Sequence, residues 1–352
     1  MRRRLERNGV FDQMNIIVDA FGGDHAPQAV IQGAAMAVQQ LGVEITLVGD
    51  EQIIRKTAEE QGTSLEQIRI LHTDEVFEMH EESTSILKAH KNCSMAVGLR
   101  ALRDDQGDAF VSAGSTGALV VGATFLAKRS PGIKRAALAP LLPTAKGVSM
   151  LIDCGANADC RPEMLVQFAL MGSAYMKNVM GVENPAVGLV NIGSEDTKGR
   201  ELEIETYHRL QEAPVNFRGN LEAREIPGGE YDVIVTDGFT GNVILKLYEG
   251  MGSFFAHKLK DVFSGVSGKL SAALVLPRIK AFKKQMDYSE VGGAVLMGIA
   301  KPVIKAHGSS DARAFYNAIR QAKACVDEKM IETLTASVAA LQAMEEKKIE
   351  RA

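Results

Sequence analysis

The chain has 352 residues, enough for one large α/β domain or a domain with an appended part. Its 46% apolar and 24% charged residues are ordinary for a soluble globular protein, and a net charge of −4 excludes any overall attraction to nucleic acid. Cys93, Cys154, Cys160 and Cys325 form no C-x-x-C pair and no zinc spacing, so they read as free thiols of a reducing cytosol, and no apolar run approaches the ~18 residues of a bilayer span.

Residues 1–13 are basic but lack the apolar stretch of a secretory signal, and they read as a disordered extension ahead of Met14. Asn15 to Ala20 reads as a buried strand ending at Phe21-Gly22-Gly23-Asp24-His25. Pro27 suits a helix start, with Ala29, Val30, Gly33, Ala37 and Leu41 as its packing face. Val43 to Val48 is a second strand, followed by a polar helix to about Gln61, and Ile68 to Leu71 is a third. Residues 83 to 103 are expected to form a helix that buries Ile86, Met95, Leu99 and Leu102.

Asp108 to Val111 then feeds the small-residue turn Ser112-Ala113-Gly114-Ser115-Thr116-Gly117, with an apolar helix after it. Four more apolar runs behave in the same way. They enter Asp153-Cys154-Gly155-Ala156-Asn157, Asn191 to Asp196, Thr236 to Asn242 and His307 to Asp311, each opening a helix. Alternating strands and helices call for a mostly parallel sheet covered on both faces. Ligands of such sheets bind beyond the carboxyl ends of the strands, so six polar, Gly-rich turns there are expected to line one site.

The chemistry of those turns suits a tetrahedral oxyanion such as phosphate. Backbone donors and hydroxyls at 112–117, including Ser115, Thr116 and Gly117, join Asn157, Asn242 and the 307–310 turn with Ser309. Lys198, beside Gly199 ahead of a helix, supplies a point charge. No P-loop or dinucleotide fingerprint is present, and the seven histidines are scattered without metal-ligand spacing. Ser115 also fits a relaxed nucleophile elbow, with Asp237 and His307 following in the order of a hydrolase triad. At this level a serine hydrolase, a short-chain phosphotransacetylase and a non-enzymatic membrane scaffold all stay open.

Phe254 to Asp287 differs in composition. Lys258, Lys260, Lys269, Arg278, Lys280, Lys283 and Lys284 face only Asp261 and Asp287, and apolar residues recur at helical spacing around a loop containing Val266. This reads as a projecting, basic, amphipathic helical hairpin suited to an anionic membrane surface or an acidic carrier protein.

The run Ile17 to Pro27 resembles the opening of the bacterial phosphate acyltransferases that use acyl carrier protein. Ser112 to Leu119, Asp153 to Asn157, Gly193 to Lys198, Asp237 to Asn242 and Lys305 to Ser310 resemble that family's other signatures in the same order. The resemblance implies a Rossmann-like αβα sandwich related to phosphotransacetylases and isopropylmalate-dehydrogenase-like proteins. It implies a single acyltransferase domain over 14–352, with hairpin 254–287 contacting membrane or carrier protein through Val266, Lys280, Lys283 and Lys284. The implied reaction turns acyl-[acyl carrier protein] and inorganic phosphate into acyl phosphate for phospholipid synthesis, without cofactor or metal. A homodimer is implied too, peripheral to the inner face of the cell membrane, beside the membrane glycerol-3-phosphate acyltransferase that consumes acyl phosphate.

On that reading Thr116, Gly117 and Lys198 hold phosphate, while Asn157 and Asn242 donate to phosphate or to the tetrahedral intermediate. His25 or Asp237 manages a proton or orients a donor. One departure stands out, because the family's loop usually carries Asn where this chain has Ser115.

Overall fold

Asn15–Asp19 (β1) is apolar through its middle and wholly buried, as a strand covered on both faces must be. The structure, a computed structural model, describes residues 13–263, 275 and 292–351. Residues 1–12 and most of the basic segment, including Val266, Lys280, Lys283 and Lys284, lie outside the described residues.

Contacts divide the chain into two units, where the sequence suggests one domain. The first runs to Lys128 and adds Lys301–Asp327; the second is Arg129–Ala300 with Glu328 onward. In the first, β1 pairs in parallel with Glu44–Gly49 (β2) and Ala109–Ser112 (β4). Ile68–His72 (β3) extends the sheet beyond β2, and Val303–Lys305 (β12) pairs with β4, all in parallel. Helices Gln28–Leu41 (α1), Glu51–Glu60 (α2) and Ser94–Arg103 (α3) connect these strands, Thr116–Gly122 (α4) follows β4, and α1 packs on Ala312–Asp327 (α8).

In the second unit the strand order is Leu141–Thr144 (β6), Gly147–Ile152 (β7), Val233–Val235 (β10), Ala186–Asn191 (β8) and Asn216–Glu222 (β9). Only β6 runs antiparallel to its neighbour. Ala137–Ala139 (β5) and Ala294–Met297 (β11) pair antiparallel. Pro162–Asn178 (α5) buries most of its length, and Glu201–Glu212 (α6) follows β8. Leu142, Leu151, Cys154, Val190, Leu221, Ile226 and Ile234 form a core that Ile244, Leu245 and Tyr248 of Gly238–Val262 (α7) cover.

Several sequence expectations change. Residues 83–103 are not one helix: a 3-10 turn at Ser83–Leu87 precedes α3. The chain leaves helical geometry at Lys88, and His90 is held in a loop by Glu75 at 2.9 Å and Glu81 at 3.4 Å. Strands β5, β6, β9 and β11 were not anticipated. The first two are short and interrupted by Pro140 and Pro143, and β9 is a polar edge broken by a register shift. The residues at 254–262 continue α7, and the rest of the expected hairpin lies outside the described residues. The last long helix is two, α8 and Met330–Arg351 (α9), with Lys329 at a positive φ of 48° between them.

Candidate active site

Because β1, β4 and β12 lie side by side in parallel, their carboxyl ends coincide, and the turns after them meet within the first unit. Asp24 N–H donates to Gly308 O at 2.8 Å, and Ala306 N–H to Ser112 O at 2.9 Å. Beneath them Asp19 is fully buried and accepts the hydroxyls of Ser94 and Ser112, each at 2.7 Å. Burial pushes its carboxyl above the usual range, opposed by those bonds and by the charge of Lys305. The buried Lys305 ammonium donates to the carbonyls of Ala113 and Ala306, so one cation links two turns.

Ser115 is the N-cap of α4, with its hydroxyl 3.5 Å from Ala118 N–H, and it is buried. Thr116 and Gly117 are half-buried, whereas His25 and Ser309 are exposed. The Ser309 hydroxyl lies 2.8 Å from His307 Nδ1, which also accepts the Ser309 N–H at 3.2 Å. Gly117 faces the 3-10 turn so closely that a Cβ there would stand 2.1 Å from Ser83 Oγ.

The second unit repeats the arrangement with β7, β10 and β8. Their register aligns Ile152, Val235 and Leu189, which brings the turns at 153–157, 236–242 and 191–200 to one edge. Asp153 accepts N–H groups from Leu138 at 2.8 Å, Ala156 at 3.2 Å and Asn157 at 2.7 Å. The Asn157 side-chain amide donates to Asp153 at 2.9 Å and to Ala136 O at 2.7 Å. Both of its amide hydrogens are thus committed within the turn, and donation to a ligand would require one of these bonds to open. Burial raises the Asp153 carboxyl, and the same bonds counteract it.

Asp237 caps α7. Oδ1 accepts Thr240 N–H at 2.8 Å; Oδ2 accepts the Thr240 hydroxyl at 3.0 Å and Arg200 Nη2 at 2.6 Å. With both oxygens engaged, its carboxylate is held in a fixed orientation against its neighbours. Lys198 and Asn242 are exposed on adjacent turns. The Lys198 backbone is fixed by Asn191 Nδ2, which donates to its carbonyl at 2.9 Å.

The expected site residues therefore fall into two groups. His25, Ser115, Thr116, Gly117 and Ser309 share the strand edge of the first unit; Asn157, Lys198, Asp237 and Asn242 share that of the second. The three residues of the expected hydrolase triad each make bonds of their own. Asp237 is held by Arg200 and Thr240, His307 Nδ1 by Ser309, and Ser115 serves as a cap. Among the described residues no group of three or more His, Cys, Asp or Glu side chains could hold a metal ion. Burial pushes the Cys93 thiol up to about 11 and Cys160 to about 12, and Cys154 well above its ordinary value, so none is an activated thiolate. Sequence reasoning missed Ser83, Arg200 and Glu203 and named Lys305 only within a motif. Arg200 is an unusual helix cap, and the Ser83-Thr84-Ser85 run was absorbed into a supposed helix.

Residues 14–333 match the family described as Fatty acid synthesis protein. A phosphate acyltransferase of Oceanobacillus iheyensis is 47% identical over 335 residues, covering 95% of this chain and 100% of that protein. One from Alkaliphilus oremlandii is 45% identical over 329 residues, covering 93% and 98%. Among solved structures, a phosphotransacetylase of Streptococcus pyogenes superimposes with a TM-score of 0.62 at 18% identity, covering 90% of this chain and 94% of that one. The EutD phosphotransacetylase of Staphylococcus aureus gives 0.59 at 17%, covering 89% and 94%. These structures share the Rossmann-like fold.

Proposed function

The chain belongs to the phosphate acyltransferase family, and from that premise we propose that it takes its acyl group from acyl carrier protein. It is an acyltransferase that passes an acyl group to phosphate for lipid synthesis. The observation that carries the assignment of roles is the contrast within the second unit. Lys198 and Asn242 are exposed, while Asp237 and Asn157 are committed to bonds inside the turns.

The reaction asks little covalent help of the protein. A phosphate oxygen attacks the thioester carbonyl, the C–O bond forms, the C–S bond breaks, and the departing thiolate takes up a proton. The protein supplies positioning, neutralisation of phosphate and stabilisation of the developing oxyanion. In the second unit Lys198 neutralises phosphate and Asn242 donates to the oxyanion, while Asp153 and Asn157 frame the turn and Asp237 orients its neighbours. In the first unit Thr116, Gly117 and Ser309, with the Ser115 hydroxyl, contact phosphate, and His25 handles a proton. Lys198→Ala is expected to raise the KM for phosphate at least ~10-fold, the loss of a charge-assisted contact. An unchanged phosphate dependence refutes that role. Palmitoyl-carrier protein should outcompete palmitoyl-CoA and acetyl-CoA as donor; preference for acetyl-CoA would assign a phosphotransacetylase instead.

The homodimer is supported by α7, whose outer face exposes Phe239, Val243, Leu247, Met251, Phe254 and Phe255. A second copy covering this stripe predicts a dimer by light scattering, and a monomer for Leu247→Glu/Phe254→Glu. No helix among the described residues is long and apolar enough to cross a membrane. The basic composition around Lys280, Lys283 and Lys284 supports peripheral binding to the inner face of the cell membrane, where a membrane glycerol-3-phosphate acyltransferase would consume the acyl phosphate. Charge reversal at the three lysines should weaken flotation with anionic liposomes.

A further inference from the structure

Arg200 holds two buried carboxylates at once. Its Nη2 donates to Asp237 Oδ2 at 2.6 Å, and its Nε lies 3.0 and 3.1 Å from the two oxygens of Glu203, which Nη2 also contacts. The guanidinium side chain is 63% exposed, while the carboxylates are 10% and 4% exposed. Its own N–H donates to Glu203 Oε2 at 2.7 Å, closing the start of α6. The two carboxylates hold the guanidinium firmly charged, Glu203 more than Asp237. One exposed cation thereby ties the turn after β8 to the turn after β10.

Lys198 lies two residues upstream, across Gly199. That glycine has a positive φ of 98°, and a Cβ there would meet Asn191 Oδ1 at 2.6 Å and Glu203 Cβ at 2.9 Å. The turn is held on one side by the Asn191 amide on Lys198 O and by Asn220 Nδ2 on Glu195 O at 2.8 Å. On the other side Arg200 tethers it to Asp237 and Glu203. We infer that Arg200 is a positioning residue that fixes Lys198 for phosphate by locking the 191–200 turn to the α7 cap Asp237. The inference rests on the role of Lys198 given above.

The physical reason is geometric. The guanidinium fork reaches two carboxylates in fixed directions, which a lysine ammonium on a flexible stem does not reproduce. Without it Asp237 and Glu203 lose their shared counter-charge, and the turn loses its side-chain link to the α7 cap while keeping the Asn191 and Arg200 backbone bonds. A displacement of about 1 Å is enough to cost a large factor in a reaction that depends on positioning.

The test is a double-mutant cycle on the full-length chain, with Arg200→Gln and Lys198→Ala made singly and together. Phosphate KM and kcat are read for each, and the thermal midpoint checks folding. Arg200→Gln alone should raise the phosphate KM about 10-fold with a smaller change in kcat. In the Lys198→Ala background the same change should add nothing. Arg200→Lys should restore the thermal midpoint without restoring the KM, and serves as the folded variant should Arg200→Gln fail to fold. Effects that multiply would make Arg200 an independent phosphate ligand and overturn the inference. So would an unchanged KM in both Arg200 variants while Lys198→Ala raises it. If Lys198→Ala itself leaves the phosphate KM unchanged, the role of Lys198 falls, and the inference with it.

Discussion

Asn157 holds Asp153 twice: its backbone N–H reaches Oδ2 at 2.7 Å and its side-chain amide reaches the same oxygen at 2.9 Å. The pair closes the turn after β7. Asn157→Asp replaces a donor by a carboxylate beside a buried one and is expected to cost about 2–4 kcal/mol near neutral pH. Burial already raises Asp153, and a second carboxylate raises the pair further. A raised folded-state pKa gives stability that is present below the ordinary value near 3.8 and lost as pH rises through the folded value. The deficit in urea midpoint should therefore narrow as pH falls from 7.5 to 5. A deficit independent of pH would contradict the electrostatic account.

Gly117 offers a steric test. Its Cβ position lies 2.1 Å from Ser83 Oγ and 3.1 Å from Ser83 Cβ. Gly117→Ala should destabilise by about 1–3 kcal/mol and lower activity. Adding Ser83→Ala removes the nearest atom and should recover most of the loss. No recovery would show that the Ser83 Cβ, rather than its hydroxyl, limits space there.

Ser115 caps α4 through Ala118 N–H, a task that Asn performs as well. Ser115→Asn is expected to leave stability within about 0.5 kcal/mol and to preserve or improve activity. An obligatory serine nucleophile would be destroyed by the same change, and stable labelling of Ser115 by a fluorophosphonate would argue for one.

The thiols give a fourth expectation. Cys325 is pushed up to about 12, alongside the raised Cys93, Cys154 and Cys160. Native protein at pH 8 should react slowly with a thiol reagent, and Cys154→Ser should retain activity. Inactivation that follows the labelling of one cysteine would contradict this.

Much of the fold could be read in advance where burial and periodicity coincide. The apolar runs of β1, β2, β4, β7, β8, β10 and β12 end in small-residue turns, and the turns fall at strand ends as the pattern requires. Elements were missed where that signal is diluted, as in the Pro-interrupted β6 and the polar edge strand β9. The helix assigned to 83–103 failed because His90 answers to two glutamates distant from it in helical spacing. At the site, residue types with obvious donors were found. Ser83 and Arg200 were not, because what they do depends on a contact across the fold, which no local pattern records.

The central claim is that the thioester acyl group is transferred to phosphate. It is tested most directly by incubating the protein with palmitoyl-carrier protein across a phosphate series and trapping product with hydroxylamine. Palmitoyl hydroxamate should form only when phosphate is present and should saturate with it, with carrier thiol released in equal amount. Release of free palmitate with no trappable product, at a rate independent of phosphate, would contradict the account.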